Sequence, residues 1–247
     1  YHIVPPRSNQ IAGGYYRIFP SAGISASGEL YYKYSKQVVE YKDGVNFLES
    51  PYTETTILQG NQEAYGFELM ISKPEGKLNG WLSYTYSRSL ISVNGQNEWE
   101  KINYGNTFPS NYDKPHVCNG IFNYRFNRRF SASMNIAYST GRPITLPNGA
   151  YYIEGKPYVD YSGRNEYRLP DYFRMDISLS VEGNLKKKKP FHSFWMLNIY
   201  NLTGRNNVYS VFFRSEGGHL RGYQYSVIGR MIVTVSWNLK LGNYVND

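Results

Sequence analysis

A single cysteine, Cys118, rules out an internal disulfide and leaves thiol chemistry without a visible partner. Also missing is any apolar run near the roughly 18 residues that a membrane-crossing helix requires. Mean hydropathy is −0.55. A transmembrane helix is thereby excluded, but a membrane barrel is not, because its strands are only half apolar and its long loops are polar. No segment carries a convincing helical stripe. Basic charge is thin: the net charge is +8 over 247 residues, concentrated only in the KKKK run at 186–189. That run reads as a solvated turn, so a nucleic-acid groove is not indicated. The four histidines, His2, His116, His192 and His219, lack metal-ligand spacing. In NYDKPH a proline between Asp113 and His116 favours a turn over a catalytic pair. SGELYYK holds a serine with no base in reach, and GGHLRG and GRNEYR are loop glycines rather than phosphate cradles, since no helix follows them. No catalytic constellation, metal site or cofactor is expected, and the chain reads as a non-enzyme.

What the sequence has instead is tyrosine, 26 residues of it, within an aromatic share of 17%. Tyrosine is amphipathic and favours half-wet places such as membrane interfaces and carbohydrate-binding surfaces. ISASGELYYKYS (24–35) shows how it is arranged. In an extended chain Ile24, Ala26, Leu30, Tyr32 and Tyr34 fall on one face, with Ser25, Ser27, Glu29, Lys33 and Ser35 on the other. The same period of two marks strands at 8–19, 24–35, 63–72, 77–87, 116–126, 130–139, 172–183, 192–202 and 231–241. Short turns (PSAG, KPEG, NRR, NLKKKKP) join them at one end. Long connections at 36–62, 88–115, 140–171 and 203–230 join them at the other, and within the last but one YYIEGKPYVDY (151–161) reads as a hairpin turning at EGKP.

Short turns alternating with long loops are the layout of an outer-membrane barrel with its short side in the periplasm. The outward face would carry Tyr65, Phe67, Leu69 and Ile71, then Met175, Ile177, Leu179 and Val181, then Val233, Val235, Trp237 and Leu239. The opposite face, with Ser131, Ser133, Asn135, Ser178 and Ser180, is too polar for a packed interior. Aromatic girdles are expected from Tyr34, Tyr65, Tyr86 and Tyr138 at the long-loop ends and Phe126, Phe130 and Trp237 at the short-turn ends. About ten residues per strand at a tilt near 40° give an apolar band about 25 Å tall, as an outer membrane requires. The competing architecture is a soluble β-sandwich, which would bury the apolar face against a second sheet.

An open nine-stranded sheet in hydrocarbon would expose two unpaired edges at tens of kcal/mol, roughly beyond what folding supplies. Single-chain bacterial barrels also have even strand numbers. The chain begins at Tyr1 with neither an initiator Met nor a signal peptide, which leaves a mature product or a piece of something longer. YHIVPPRSNQ resembles the tail of a preceding long loop. The expectation is a C-terminal part of a larger barrel, with partner strands elsewhere.

In order, YYKYSKQVVEYKDG, LQGNQEAYGFELMISKPEGKLNGWLSYTYSRS, INYGNTFPSNYDKPH, STGRPITLP, GRNEYRLPDYFRMDISLS and LNIYNLTGRNNVYSV resemble the C-terminal half of TonB-dependent outer-membrane receptors. The resemblance runs through nearly the whole chain, and order and spacing carry it rather than any one piece. It implies an all-β, antiparallel transmembrane β-barrel of about 22 strands with a plugged lumen. Residues 1–247 would be its C-terminal portion, the last nine strands, without plug or N-terminal strands. It further implies an active importer in the cell outer membrane of a Gram-negative organism. Extracellular loops would capture a nutrient, and TonB would supply energy through the missing part.

Implied partners are the remaining strands and plug, outer-membrane lipid and, in some relatives, a surface lipoprotein. The chain departs from the family in its end: GNYVND follows Leu241, where members often finish on an aromatic residue. Two other classes compete: a smaller barrel acting as adhesin or passive pore, and a secreted glycan-binding β-sandwich. Candidate ligand-stacking residues are the loop aromatics Trp99, Tyr104, Tyr151, Tyr152, Tyr158 and Tyr161, with loop self-packing as the alternative. Candidate lumen-facing polar residues are Glu68, Arg125, Arg174 and Asp176, contacting substrate or plug, or else pairing across strands.

Overall fold

Alternation at a period of two produces strands here and little else. In this computed structural model the described residues are 3–45, 52–153, 156–183, 191–216 and 219–241; side chains at 53, 150, 152–158 and 215–220 fall outside the description. The first strands are β1 (Arg7–Phe19), β2 (Ile24–Tyr41), β3 (Ile57–Lys73), β4 (Leu78–Ser92), β5 (Phe108–Pro109), β6 (His116–Arg125) and β7 (Phe130–Ser139). After them come β8 (Pro143–Ile144), β9 (Pro147–Ile153), β10 (Lys156–Tyr161), β11 (Tyr167–Arg168), β12 (Tyr172–Glu182), β13 (Phe191–Tyr200), β14 (Ser210–Glu216), β15 (His219–Tyr225) and β16 (Ile232–Leu241). The helical turns among the described residues are short 3-10 pieces at Thr53–Thr56, Glu98–Glu100 and Asn103–Gly105.

One antiparallel sheet runs in the order β1-β2-β3-β4-β6-β7-β12-β13-β16, with β5 added beside β4. All nine expected strands are present, and β1 and β16 form its two edges. Register confirms the assignment of faces. Leu30 stands opposite Phe67 and Phe67 opposite Tyr86; Ile136 faces Met175; Trp195 faces Trp237. On the other face Ser133 stands opposite Ser178 and Asn123, and Asn135 opposite Asp176.

The apolar face is uncovered: Leu30 and Val235 are each 66% exposed. Among the described residues no second sheet packs on it, so the β-sandwich arrangement is not the one adopted. Aromatic contacts stud this face at both ends. Trp195 and Trp237 stack at 5.9 Å and Tyr124 meets Phe126 edge-on at 4.8 Å near the short turns, while Tyr86 meets His116 at 5.4 Å near the long connections.

The short turns follow local chemistry. Gly23 takes φ +61° in PSAG, where its amide donates to the Pro20 carbonyl. At the NRR turn on the same end, between β6 and β7, Asn127 Oδ1 accepts the amides of Arg129 and Phe130. Residues 184–190, including the KKKK run, and 242–247, GNYVND, lie outside the described residues.

Three strands overrun their expected ends. β4 runs to Ser92 rather than 87, β2 reaches Tyr41 rather than stopping at Ser35, and β3 starts at Ile57 rather than 63, so the connection between β2 and β3 is 42–56. In β2 a bulge breaks the period: Gln37 has φ 60°, and the register slips between Lys36 and Val38. One extra residue exchanges the faces of everything beyond it. Val38 thereby turns to the side of Leu58, Ile91, Val93, Ile102 and Phe108, the one cluster of fully buried apolar side chains among the described residues. This core therefore lies not under the sheet but at its long-connection end, where the 93–115 segment folds over the polar face.

Candidate functional site

The long connections do not dangle; they bond to one another through side chains. Asp113, whose side chain is wholly buried, accepts from Arg88 Nε at 3.2 Å and from the Ser89 amide at 2.7 Å. Arg168 also pairs with it, and donates to the Asp113 and Gly141 carbonyls at 2.7 and 3.0 Å. The NYDKPH segment is indeed a turn, closed by the Asp113 amide on the Ser110 carbonyl, while His116 Nδ1 meets the Tyr84 hydroxyl at 2.8 Å.

A second clasp reaches further. Arg164 donates to Asp43 Oδ1 at 2.8 Å, Glu40 Oε2 at 3.2 Å and the Tyr41 carbonyl at 2.7 Å, while its amide donates to Asn103 Oδ1 at 2.6 Å. Next to it the buried Asn165 amide group donates to the Pro109 carbonyl and to Asn111 Oδ1. Three long connections are thus tied into one body.

The start of β12 has a different need. Its pairing with β13 begins only at Ile177, so residues before it lack a strand on that side. The segment after β13 supplies one with side chains. Asn207 accepts from the Phe173 amide at 3.0 Å and donates to the Phe173 carbonyl at 2.9 Å. Leu202 donates its amide to the Met175 carbonyl, and Asp176 Oδ1 accepts the Asn201 amide. Fully buried Asn201, at φ 51°, holds the Arg205 carbonyl at 3.0 Å. This is the physical content of YNLTGRNN: asparagines that continue a ladder where the backbone has turned away.

Between this segment and the 140–171 connection lies a cavity of about 350 Å³, within the size range of small-ligand sites. Tyr172, Arg174 and Tyr200 line it from the polar face, Lys114 and Arg142 from the long connections, and Tyr209 from beyond β13. Arg174 is fixed on three sides. Its Nε sits 3.1 Å from Asp176 Oδ2, its Nη1 donates to the Tyr200 hydroxyl at 2.8 Å, and its guanidinium lies 4.7 Å from the Tyr200 ring centroid. At the rim Asp171 accepts the Tyr138 hydroxyl at 2.8 Å and the Gly141 amide at 3.0 Å. The Gly141 amide first, and then the Tyr138 hydroxyl, hold the Asp171 carboxyl below the usual carboxylate range.

Of the expected polar residues, Arg174 and Asp176 come together here. Glu68 stands elsewhere on the same face, opposite Glu29 and Thr85, and Arg125 lies opposite Ser131 at the short-turn end. The loop aromatics are dispersed. Trp99 and Tyr104 are 69% and 90% exposed on the 93–115 segment, and Tyr151 and Tyr161 are exposed on the β9–β10 hairpin. Tyr158 pairs with Tyr151 and Tyr152 with Pro157 in that hairpin, as expected of a two-stranded piece. The hairpin tip at 154–155 and the side chains of Tyr152 and Tyr158 are outside the description. None of Trp99, Tyr104, Tyr151 or Tyr161 lines the cavity. Sequence reasoning missed Tyr172, Tyr200, Tyr209, Lys114 and Arg142; the only signal was the i, i+2 spacing of Tyr172, Arg174 and Asp176 on one polar face.

Among the described residues no three His, Cys, Asp or Glu side chains are grouped to hold a metal. Comparison with curated proteins returns no significant match. The pattern of the family described as TonB dependent receptor-like, beta-barrel matches residues 4–202. A meander with tight turns at one end and interlocked long connections at the other agrees with that match, and the chain belongs to the TonB-dependent receptor-like β-barrel family.

Proposed function

We propose that residues 1–247 supply the C-terminal nine strands of an outer-membrane importer barrel of about 22 strands. Other strands and a plug of the same receptor would close it, and TonB would drive transport through that plug. The apolar face lies against lipid and the polar face lines the aqueous lumen. The long connections stand outside the cell and capture the ligand. The observation that carries this reading is the coincidence, at one end of the sheet and on its polar face, of the tied connections and the cavity around Arg174. A family of outer-membrane transporter barrels supports the same assignment.

Capture needs a preformed surface, since ordering loops upon binding would cost affinity. Asp113, Arg164 and Asn201 provide that order in advance. The test is uptake by cells carrying the complete receptor, before and after collapse of the proton gradient across the inner membrane. Import should stop while surface capture persists. Uptake that continues would instead assign a passive pore, and capture without any uptake an adhesin.

A further inference from the structure

We infer that the cavity around Arg174 selects small organic anions: a carboxylate set beside a ring. This rests on the importer reading above and names the ligand class of the same site. Three cations, Lys114, Arg142 and Arg174, line the cavity, and no Asp or Glu does. The neighbouring carboxylates are committed elsewhere. Asp113 answers Arg88 and Arg168, Asp171 answers Tyr138 and Gly141, and Asp176 holds the Nε edge of Arg174.

Among the described residues, Lys114 and Arg142 have no carboxylate partner; Arg142 only reaches the Tyr209 carbonyl, at 3.4 Å. Both are exposed at the mouth of the cavity, where they give it a positive rim for an anion to meet, and a guanidinium matches a planar oxyanion. Tyr200 and Tyr209 add ring surface beside these charges, where a sugar or aromatic ring can lie. At about 350 Å³ the space has the size of a small-ligand site, with room for one such ring. The oxyanion could come from an acidic saccharide or from a peptide carboxyl terminus, since both present the same planar group.

The experiment is calorimetric titration of the complete receptor in detergent. The probes are a galacturonate-terminated disaccharide, its galactose-terminated counterpart, an aromatic tripeptide with a free carboxylate, and the same peptide amidated. At least one charged probe should bind about tenfold or more tightly than its neutral counterpart, and which one does identifies the source. Lys114→Gln and Arg142→Gln, both on connections away from the sheet ladder, should each weaken that probe about tenfold and flatten its salt dependence. Equal affinity for charged and neutral probes, no anion binding at all because the plug fills the cavity, or variants that bind like the parent would each overturn the inference. Heat-modifiable migration and recovery in the outer-membrane fraction, measured on the same preparations, separate the two readings. A receptor that fractionates with the outer membrane yet fails to discriminate charge sinks the ligand class alone. A receptor absent from that fraction sinks the importer reading, while the titration still decides charge selectivity.

Discussion

Asp113 is the residue on which most depends locally. A wholly buried carboxylate here answers two partly exposed guanidiniums and the Ser89 amide at once, and removing it leaves two cations side by side without their counter-charge. Asp113→Ala is expected to cost about 3–5 kcal/mol of local stability. It should be read as rapid proteolysis within 93–115 and 140–171 while the strands stay protected. Asp171 gives a pH signature. Its folded pKa lies below the ordinary value near 3.9, so its ionised form favours the folded rim. That contribution is complete at neutral pH and is lost only as acidity passes down through the depressed value. Protection of the Gly141 amide, its exchange rate relative to the intrinsic rate at each pH, should therefore hold down to about pH 4 and fall below it, whereas in Asp171→Ala that protection should be reduced at every pH. Close approach constrains the same spot: a Cβ at position 141 would run into the Leu169 carbonyl, so glycine is required there.

At the scale of elements, the bulge at Gln37 is a device rather than a defect, because in a strand that contains Gln37 it alone turns Val38 toward the buried cluster and Glu40 toward Arg164. Deleting Gln37 is expected to make β2 regular while leaving Val38 opposite Gly60 and Glu40 opposite Leu58, because Lys36 and Val38 already pair with successive residues of β3. Both contacts should then survive, and peptide mapping after proteolysis should find 42–56 as protected as in the parent. The same residue explains where the sequence was readable and where it was not. A period of two located all nine sheet strands, from Arg7–Phe19 to Ile232–Leu241, and the face of each, since register follows alternation when one face is uniformly apolar. A bulge interrupts that period, so the ends of β2 and β3 were hidden. The β14–β15 hairpin went unread because Gly217 and Gly218 suggested a loop, though the strands on either side pair from Ser210 with Tyr225 to Glu216 with His219. In the site, Arg174 and Asp176 were legible from strand parity. Lys114, Arg142 and Tyr209 were not, because distant connections bring them together and no local pattern encodes that meeting.

For the whole molecule the decisive property is which face meets lipid. Its four tryptophans report on it. Trp195 and Trp237 stack on the apolar face, Trp81 stands on the polar face opposite Ser72 and Ile121, and Trp99 is exposed on a connection. Single-tryptophan versions of the complete receptor, placed in bilayers of brominated lipid, should show strong quenching for Trp195 and Trp237 and little for Trp81 or Trp99. The reverse pattern would turn the sheet inside out. Arg164 bears on a different whole-chain property, the order of assembly. Hairpins join strands that are near in sequence, but Arg164 reaches Glu40 across 124 positions and Asp43 across 121. Contacts of such separation form last, after the intervening strands have been set side by side. Arg164→Ala should therefore insert at the parental rate yet mature late to protease resistance in a pulse-chase. The arginine clasp closes only over a finished wall, and so serves the maturing protein as a record that its strands were laid down in the right sequence.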